Sequence, residues 1–157
     1  NVSKNGYLLL NVGPKADGSI PDQAKALLQA MGDWLKINGE AIYGTTPWMV
    51  YGEGPTQMTN AGMFSEEHEV EYTADDYRFT CTDDAVYAIC LGWPEGKSMI
   101  KEMRCLNAGE INSVTLLGSD IALSWNLAKD GLEITPPAER PCEHAFVYKI
   151  SRKNPFK

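Results

Sequence analysis

The chain has 157 residues, 43% of them hydrophobic and 22% charged. That suffices for one domain of ordinary size and excludes a disordered acidic tail, a collagen-like repeat and a small disulfide-stapled scaffold. Fourteen Lys and Arg against 21 Asp and Glu leave a formal charge of −7, with no basic run longer than Arg152-Lys153. A nucleic-acid partner, which requires a basic face to displace counterions, is therefore disfavoured. No apolar stretch approaches the roughly 20 residues needed to cross a bilayer, so no membrane span is expected.

In chain order, Val2-Ser3-Lys4-Asn5-Gly6 reads as the last turn of a helix closing on a Gly cap. The chain opens on Asn1 rather than Met, without a charged-then-apolar leader, which reads as a fragment or a processed product. Tyr7–Val12 is apolar on both faces, the pattern of a buried parallel strand. Gly13–Gly18 has loop chemistry. A helix is predicted next, with Ser19 near the cap and Pro21 in the first turn. Ala24, Leu27, Leu28, Met31, Trp34 and Leu35 form one apolar stripe, and Asn38-Gly39 stops the helix. Strand, loop and helix make half of a βαβ unit. A lone strand cannot hold a parallel sheet, so this part needs partners.

From Trp48 onward the period changes to two. Strands are predicted over Tyr77–Thr82, Ala85–Trp93, Ile100–Leu106, Ser113–Leu117, Ala122–Asn126, Gly131–Thr135 and Ala145–Ser151. Asp83-Asp84, Pro94-Glu95-Gly96, Asn107-Ala108-Gly109, Gly118-Ser119-Asp120 and Lys129-Asp130-Gly131 punctuate them. Residues 52–76 show no sustained period and read as a long loop with at most one short strand. The fold class is mainly β: an antiparallel β-sandwich preceded by one strand–helix unit.

Few residues suggest chemistry of their own. Cys81, Cys90, Cys105 and Cys142 have no metal-ligand spacing and read as buried thiols on strands. The acidic pairs Glu66-Glu67, Asp75-Asp76 and Asp83-Asp84 fall in loop context, where a solvated loop is the natural reading. Trp48, Trp93 and Trp125 would suit a sugar platform, but in a sandwich they more naturally fill the core or an interface, and Trp34 belongs to the helix stripe. His68 and His144 have no third ligand in view. Ser3, Ser19 and Ser65 lack a nucleophile-elbow context. No metal and no cofactor are expected.

The run Ser3-Lys4-Asn5-Gly6-Tyr7-Leu8-Leu9-Leu10-Asn11-Val12-Gly13-Pro14, with Asp17-Gly18 and Ile20-Pro21, closely resembles the α-L-fucosidases of glycoside hydrolase family 29. So does Trp34-Leu35-Lys36-Ile37-Asn38-Gly39-Glu40-Ala41-Ile42-Tyr43-Gly44-Thr45, ending at Pro47-Trp48. The likeness continues more weakly through Ala85–Ile89, Gly92-Trp93-Pro94, Leu116–Gly118, Leu123–Trp125 and Gly131-Leu132.

The resemblance implies a catalytic (β/α) barrel followed by a C-terminal β-sandwich. Residues 1–46 match the terminal strand and helix of that barrel, and residues 47–157 the sandwich. A barrel alone takes about 250 residues, more than this whole chain. The implied function is the C-terminal portion of an exo-acting, retaining α-L-fucosidase, which hydrolyses terminal α-linked L-fucose. Retaining hydrolysis needs two carboxyl groups about 5–5.5 Å apart. In the family both lie on barrel strands with no matching position here, so no catalytic residue is carried over. Whether the chain is itself an enzyme is therefore open. Were it active, Glu40, Glu53, Glu66 and Glu67 would be the first residues to replace, on residue type alone.

Asn11 would sit at the C-terminal end of a barrel strand, near the sugar pocket. It is the one substrate-binding candidate, with capping of the βα turn as its plainer role. Glu40, past a helix C-terminus on the opposite face, reads as structural. Implied partners are a fucosylated glycan or fucoside, and either the remaining barrel portion or a second copy, docked through residues 1–48. The alternative is a non-catalytic β-sandwich module, carbohydrate-binding or structural, that self-associates through its barrel remnant. Compartment stays undetermined.

Overall fold

The computed structural model describes residues 1–56 and 70–155. Among the described residues, eight strands form two antiparallel sheets: β1 (Thr46–Glu53), β2 (Tyr77–Cys81), β3 (Ala85–Cys90), β4 (Ser98–Ile100), β5 (Ile111–Leu116), β6 (Ser124–Ala128), β7 (Gly131–Thr135) and β8 (Phe146–Arg152). The larger sheet has the order β1-β2-β3-β8-β5, and the smaller β4-β7-β6. One long helix, α1 (Asp22–Asn38), precedes them. The expected sandwich is therefore present.

Local chemistry explains the hairpins. At the β2–β3 turn the Thr82 amide donates to Ala85 O (3.0 Å), and its hydroxyl donates to Asp84 Oδ1 (2.8 Å). In the β6–β7 hairpin Ala128 faces Gly131 across the two-residue turn Lys129-Asp130. The core lies between the sheets. Trp48, Phe79, Val86, Ala88, Tyr148 and Ile150 meet Ile100, Leu132 and Ile134 there, with Met103 and Leu106 closing one side.

Strand β3 is buried at all six positions. Val86, Ala88 and Cys90 face the main core, while Ala85, Tyr87 and Ile89 join Val147 in a second cluster. Ala41, Ile42 and Trp34 cover that cluster from outside. The uninterrupted apolar run in β3 thus marks a strand covered on both faces.

Several expectations need correction. Tyr7–Val12 forms no ladder: Tyr7 and Leu9 are almost fully exposed, because no neighbouring strand is there to pair with them. Helix α1 starts at Asp22 with Pro21 as its cap, while the Ser19 amide and hydroxyl both turn back to Asp17 Oδ1 (2.9 and 2.7 Å). The opening turn exists, as a short 3-10 helix over Val2–Lys4, but Asn5 rather than Gly6 takes the left-handed conformation (φ 59°). Asn tolerates that region better than other residues with a side chain. The strand predicted over Ile100–Leu106 stops at Ile100 and gives way to a 3-10 helix, Lys101–Cys105. Glu53 explains the break, since its carboxylate draws the Lys101 and Glu102 amides out of any ladder (2.8 and 2.6 Å).

Candidate functional site

Both ends of the segment that precedes β1 are fastened to the larger sheet. The turn over residues 2–4 packs on β1 and β2, burying Ser3 and placing Lys4 Nζ 4.5 Å from the Tyr51 ring centroid. At the other end Trp34 donates from its indole to Ala145 O (2.8 Å). Asn38 Nδ2 donates to Trp34 O (3.3 Å) and to Cys142 Sγ (3.4 Å). The buried Thr80 hydroxyl donates to Ala41 O (2.7 Å).

Glu40 completes this joint. Its carboxylate accepts from Tyr87 OH (2.8 Å) and from Lys149 Nζ. The Lys149 bond holds the Glu40 carboxyl below the usual range against the opposing effect of partial burial. Burial, and then the bond to Glu40, pushes the Tyr87 phenol up to about 12. A carboxylate held charged between a phenol and an ammonium is a fastening, in keeping with the structural reading of Glu40.

Between the fastened ends the chain faces solvent. Asn11 lies on this exposed stretch, along with Tyr7, Leu8, Leu9 and Leu10, and Leu27 and Met31 of α1 are exposed as well.

Two further carboxylates, Asp76 and Glu53, also serve the architecture. Asp76, expected in a solvated loop, is fully buried. It accepts from the Thr56 amide (3.0 Å) and hydroxyl (2.7 Å), and from the Thr73 amide (2.8 Å) and hydroxyl (2.9 Å). Burial pushes its carboxyl up, but these bonds outweigh burial and leave it below the usual value. The two adjacent acids, Asp75 and Asp76, are thus not equivalent. Thr73, three residues before Asp76, is the signal that separates them, since Thr and Asp at this spacing lock turns through side-chain to backbone bonds. Glu53 is shifted the other way, its burial outweighing the two amides it binds. Glu66, Glu67, Ser65 and His68 lie outside the described residues. Among the described residues, no three His, Cys, Asp or Glu side chains are grouped to hold a metal ion.

Trp48 is core, edge-on to Phe79 with centroids 5.4 Å apart. Trp125 packs partly buried against the same core. Trp93 does two things: it meets Phe146 edge-on at 4.6 Å, and it lines a shallow surface groove of about 380 Å³. All four cysteines are free; Cys90 is buried and Cys105 exposed. His144 is exposed, with a left-handed backbone (φ 71°).

Two family models match this chain. The alpha-L-fucosidase model covers residues 1–40, and the alpha-L-fucosidase C-terminal domain model covers residues 66–151, more than half of the chain. The chain belongs to the α-L-fucosidase family. Tissue alpha-L-fucosidase of Bos taurus is 38% identical over 158 residues, covering 96% of this chain and 29% of the relative. The Homo sapiens tissue enzyme is 36% identical over 155 residues, with 96% and 29% covered. Among solved structures, Thermotoga maritima alpha-fucosidase in complex with a mechanism-based inhibitor is similar at a TM-score of 0.71 and 33% identity, covering 96% of this chain and 31% of that one. Alpha-L-fucosidase isoenzyme 1 from Paenibacillus thiaminolyticus has the same fold, at a TM-score of 0.70 and 24% identity. The chain thus spans under a third of the length of the relatives it matches. No described helix is long and apolar enough to cross a membrane.

Proposed function

We propose that the chain acts as the C-terminal portion of an exo-acting, retaining α-L-fucosidase that removes terminal α-linked L-fucose from fucosylated glycans or fucosides. The observation that carries this reading is the pair of family matches, at residues 1–40 and 66–151, read with the 29% share of the relatives that the chain spans. The nucleophile and the acid/base are assigned to the remainder of the enzyme and not to any residue here. The division at residue 46 is retained: residues 1–46 complete a barrel wall, and residues 47–157 form the sandwich that supports it.

The bare apolar segment supports association through residues 1–48. Tyr7, Leu9 and Leu27 are 98%, 96% and 63% exposed, more than a stable free surface favours in one stretch. Their partner is the barrel portion, or in its absence a second copy of this chain. Asn11 then stands at the rim of the sugar pocket, either capping the βα turn or donating to a sugar hydroxyl.

The test is hydrolysis of a nitrophenyl α-L-fucoside. The chain alone is expected to be inactive, and a longer protein that contains it active. Replacing Asn11 with Ala in that longer protein should raise KM more than it lowers kcat. Turnover by the chain alone, tracking the protein peak and surviving repurification, would place the catalytic pair here and sink the assignment.

A further inference from the structure

We propose that the groove beside Trp93 is a secondary binding site for a neutral saccharide, separate from the fucosidase pocket. Strand pairing creates it. The first residue of β4, Ser98, pairs with Ile134 near the end of β7, so the connection entering β4 and the chain leaving β7 emerge side by side. Trp93–Lys97 forms one wall and Thr135–Ala138 the other of an open surface groove.

The lining suits a sugar. Phe146, edge-on to Trp93 at 4.6 Å, fixes the indole, and the half-buried Pro136 and Pro137 add rigid apolar surface. Such a surface accepts the C–H face of a pyranose with little ordering cost. Hydroxyls need donors and acceptors, which Glu95, Lys97 and Thr135 supply at the same groove. Lys97 is already held by Glu133 (2.7 Å), so the groove offers no unbalanced cation to an anionic sugar. An uncharged ring is the occupant that uses both kinds of lining. The choice of a saccharide rests on the fucosidase reading, whereas the groove does not.

The experiment is a titration of the intact chain with a neutral fucosylated trisaccharide, followed by amide and indole cross-peaks. Trp93→Phe identifies the Trp93 indole signal by its absence. Saturable shifts of that signal and of the Gly96 and Lys97 amides are expected, with millimolar affinity. Glu95→Ala should weaken binding by about tenfold, roughly 1.4 kcal/mol. Its exposed side chain makes an unchanged melting temperature the expected control. No saturable shift at Trp93, shifts confined to other tryptophans, or equal shifts with an acyclic polyol would overturn the proposal. Binding here without fucosidase activity in the longer protein would sink the enzymatic reading alone, and activity without binding would sink this one alone.

Discussion

At the residue scale, Asp76 shows how a buried charge is kept. Thr56 and Thr73 each give it an amide and a hydroxyl, and together they tie residues 54–56 and 73–76 into one knot. Gly54 sits against it with φ 137°, where a Cβ would come within 2.2 Å of Asp76 Oδ1. Asp76→Ala leaves two amides without their acceptor and should cost about 3 kcal/mol, read as a lower urea midpoint. Gly54→Ala should destabilise as well, through both the positive φ and the clash. Because the folded carboxyl titrates below its ordinary 3.8, its stabilisation is complete above the unfolded value and is lost as pH falls through the folded one. Glu53 acts in the opposite sense: its raised folded value makes its contribution grow as pH falls. Unfolding curves from pH 6 to pH 3 should therefore flatten in Asp76→Asn and steepen in Glu53→Gln.

At the element scale, α1 is divided. Its C-terminal end is bound into the second cluster by Trp34, Asn38 and the turn through Ala41, while Leu27 and Met31 stay in solvent. Gly118 makes the close approach possible: at φ 78°, a Cβ there would lie 2.5 Å from Ile37 Cγ2. Gly118→Ala should cost about 1–3 kcal/mol and loosen the helix, visible as faster amide exchange in residues 34–38. Tyr87→Phe removes a single bond to Glu40 and should cost about 1 kcal/mol in thermal unfolding. In the same background Lys149→Met should show coupling to Glu40→Gln below about 1 kcal/mol, since that pair is partly exposed. Much of this joint was legible in the sequence, where Trp34 and Glu40 stood out as packing and structural residues. Their partners Ala145, Tyr87 and Lys149 were not, because contacts separated by 47 to 111 positions leave no local pattern.

At the scale of the whole molecule, the exposed apolar segment 7–10 is where the proposed association is tested. Leu8→Ser combined with Leu9→Ser should shift light-scattering mass towards the monomer while leaving the melting temperature of the sandwich unchanged, because neither side chain packs on its core. An unchanged mass distribution would show that this segment does not drive association. The exposure is physically coherent. A strand with apolar side chains on both faces gains its energy only from layers on both sides, and its amides need parallel neighbours.

By itself the sequence determined β2, β3 and β5 to β8 with their turns, the helix stripe, and the family to which the chain belongs, but not β1 or the short β4. These features are local: side chains alternate with period two or 3.6, and turns carry their own chemistry within four residues. Only the tertiary structure decided which Asp of the pair 75–76 is buried, what covers the outer face of β3, and why the strand from Ile100 ends at once. It also decided that Trp93 lines a groove as well as touching the core. Each of these depends on groups brought together by sheet pairing from distant parts of the chain, and no local periodicity records which distant group supplies the missing bond.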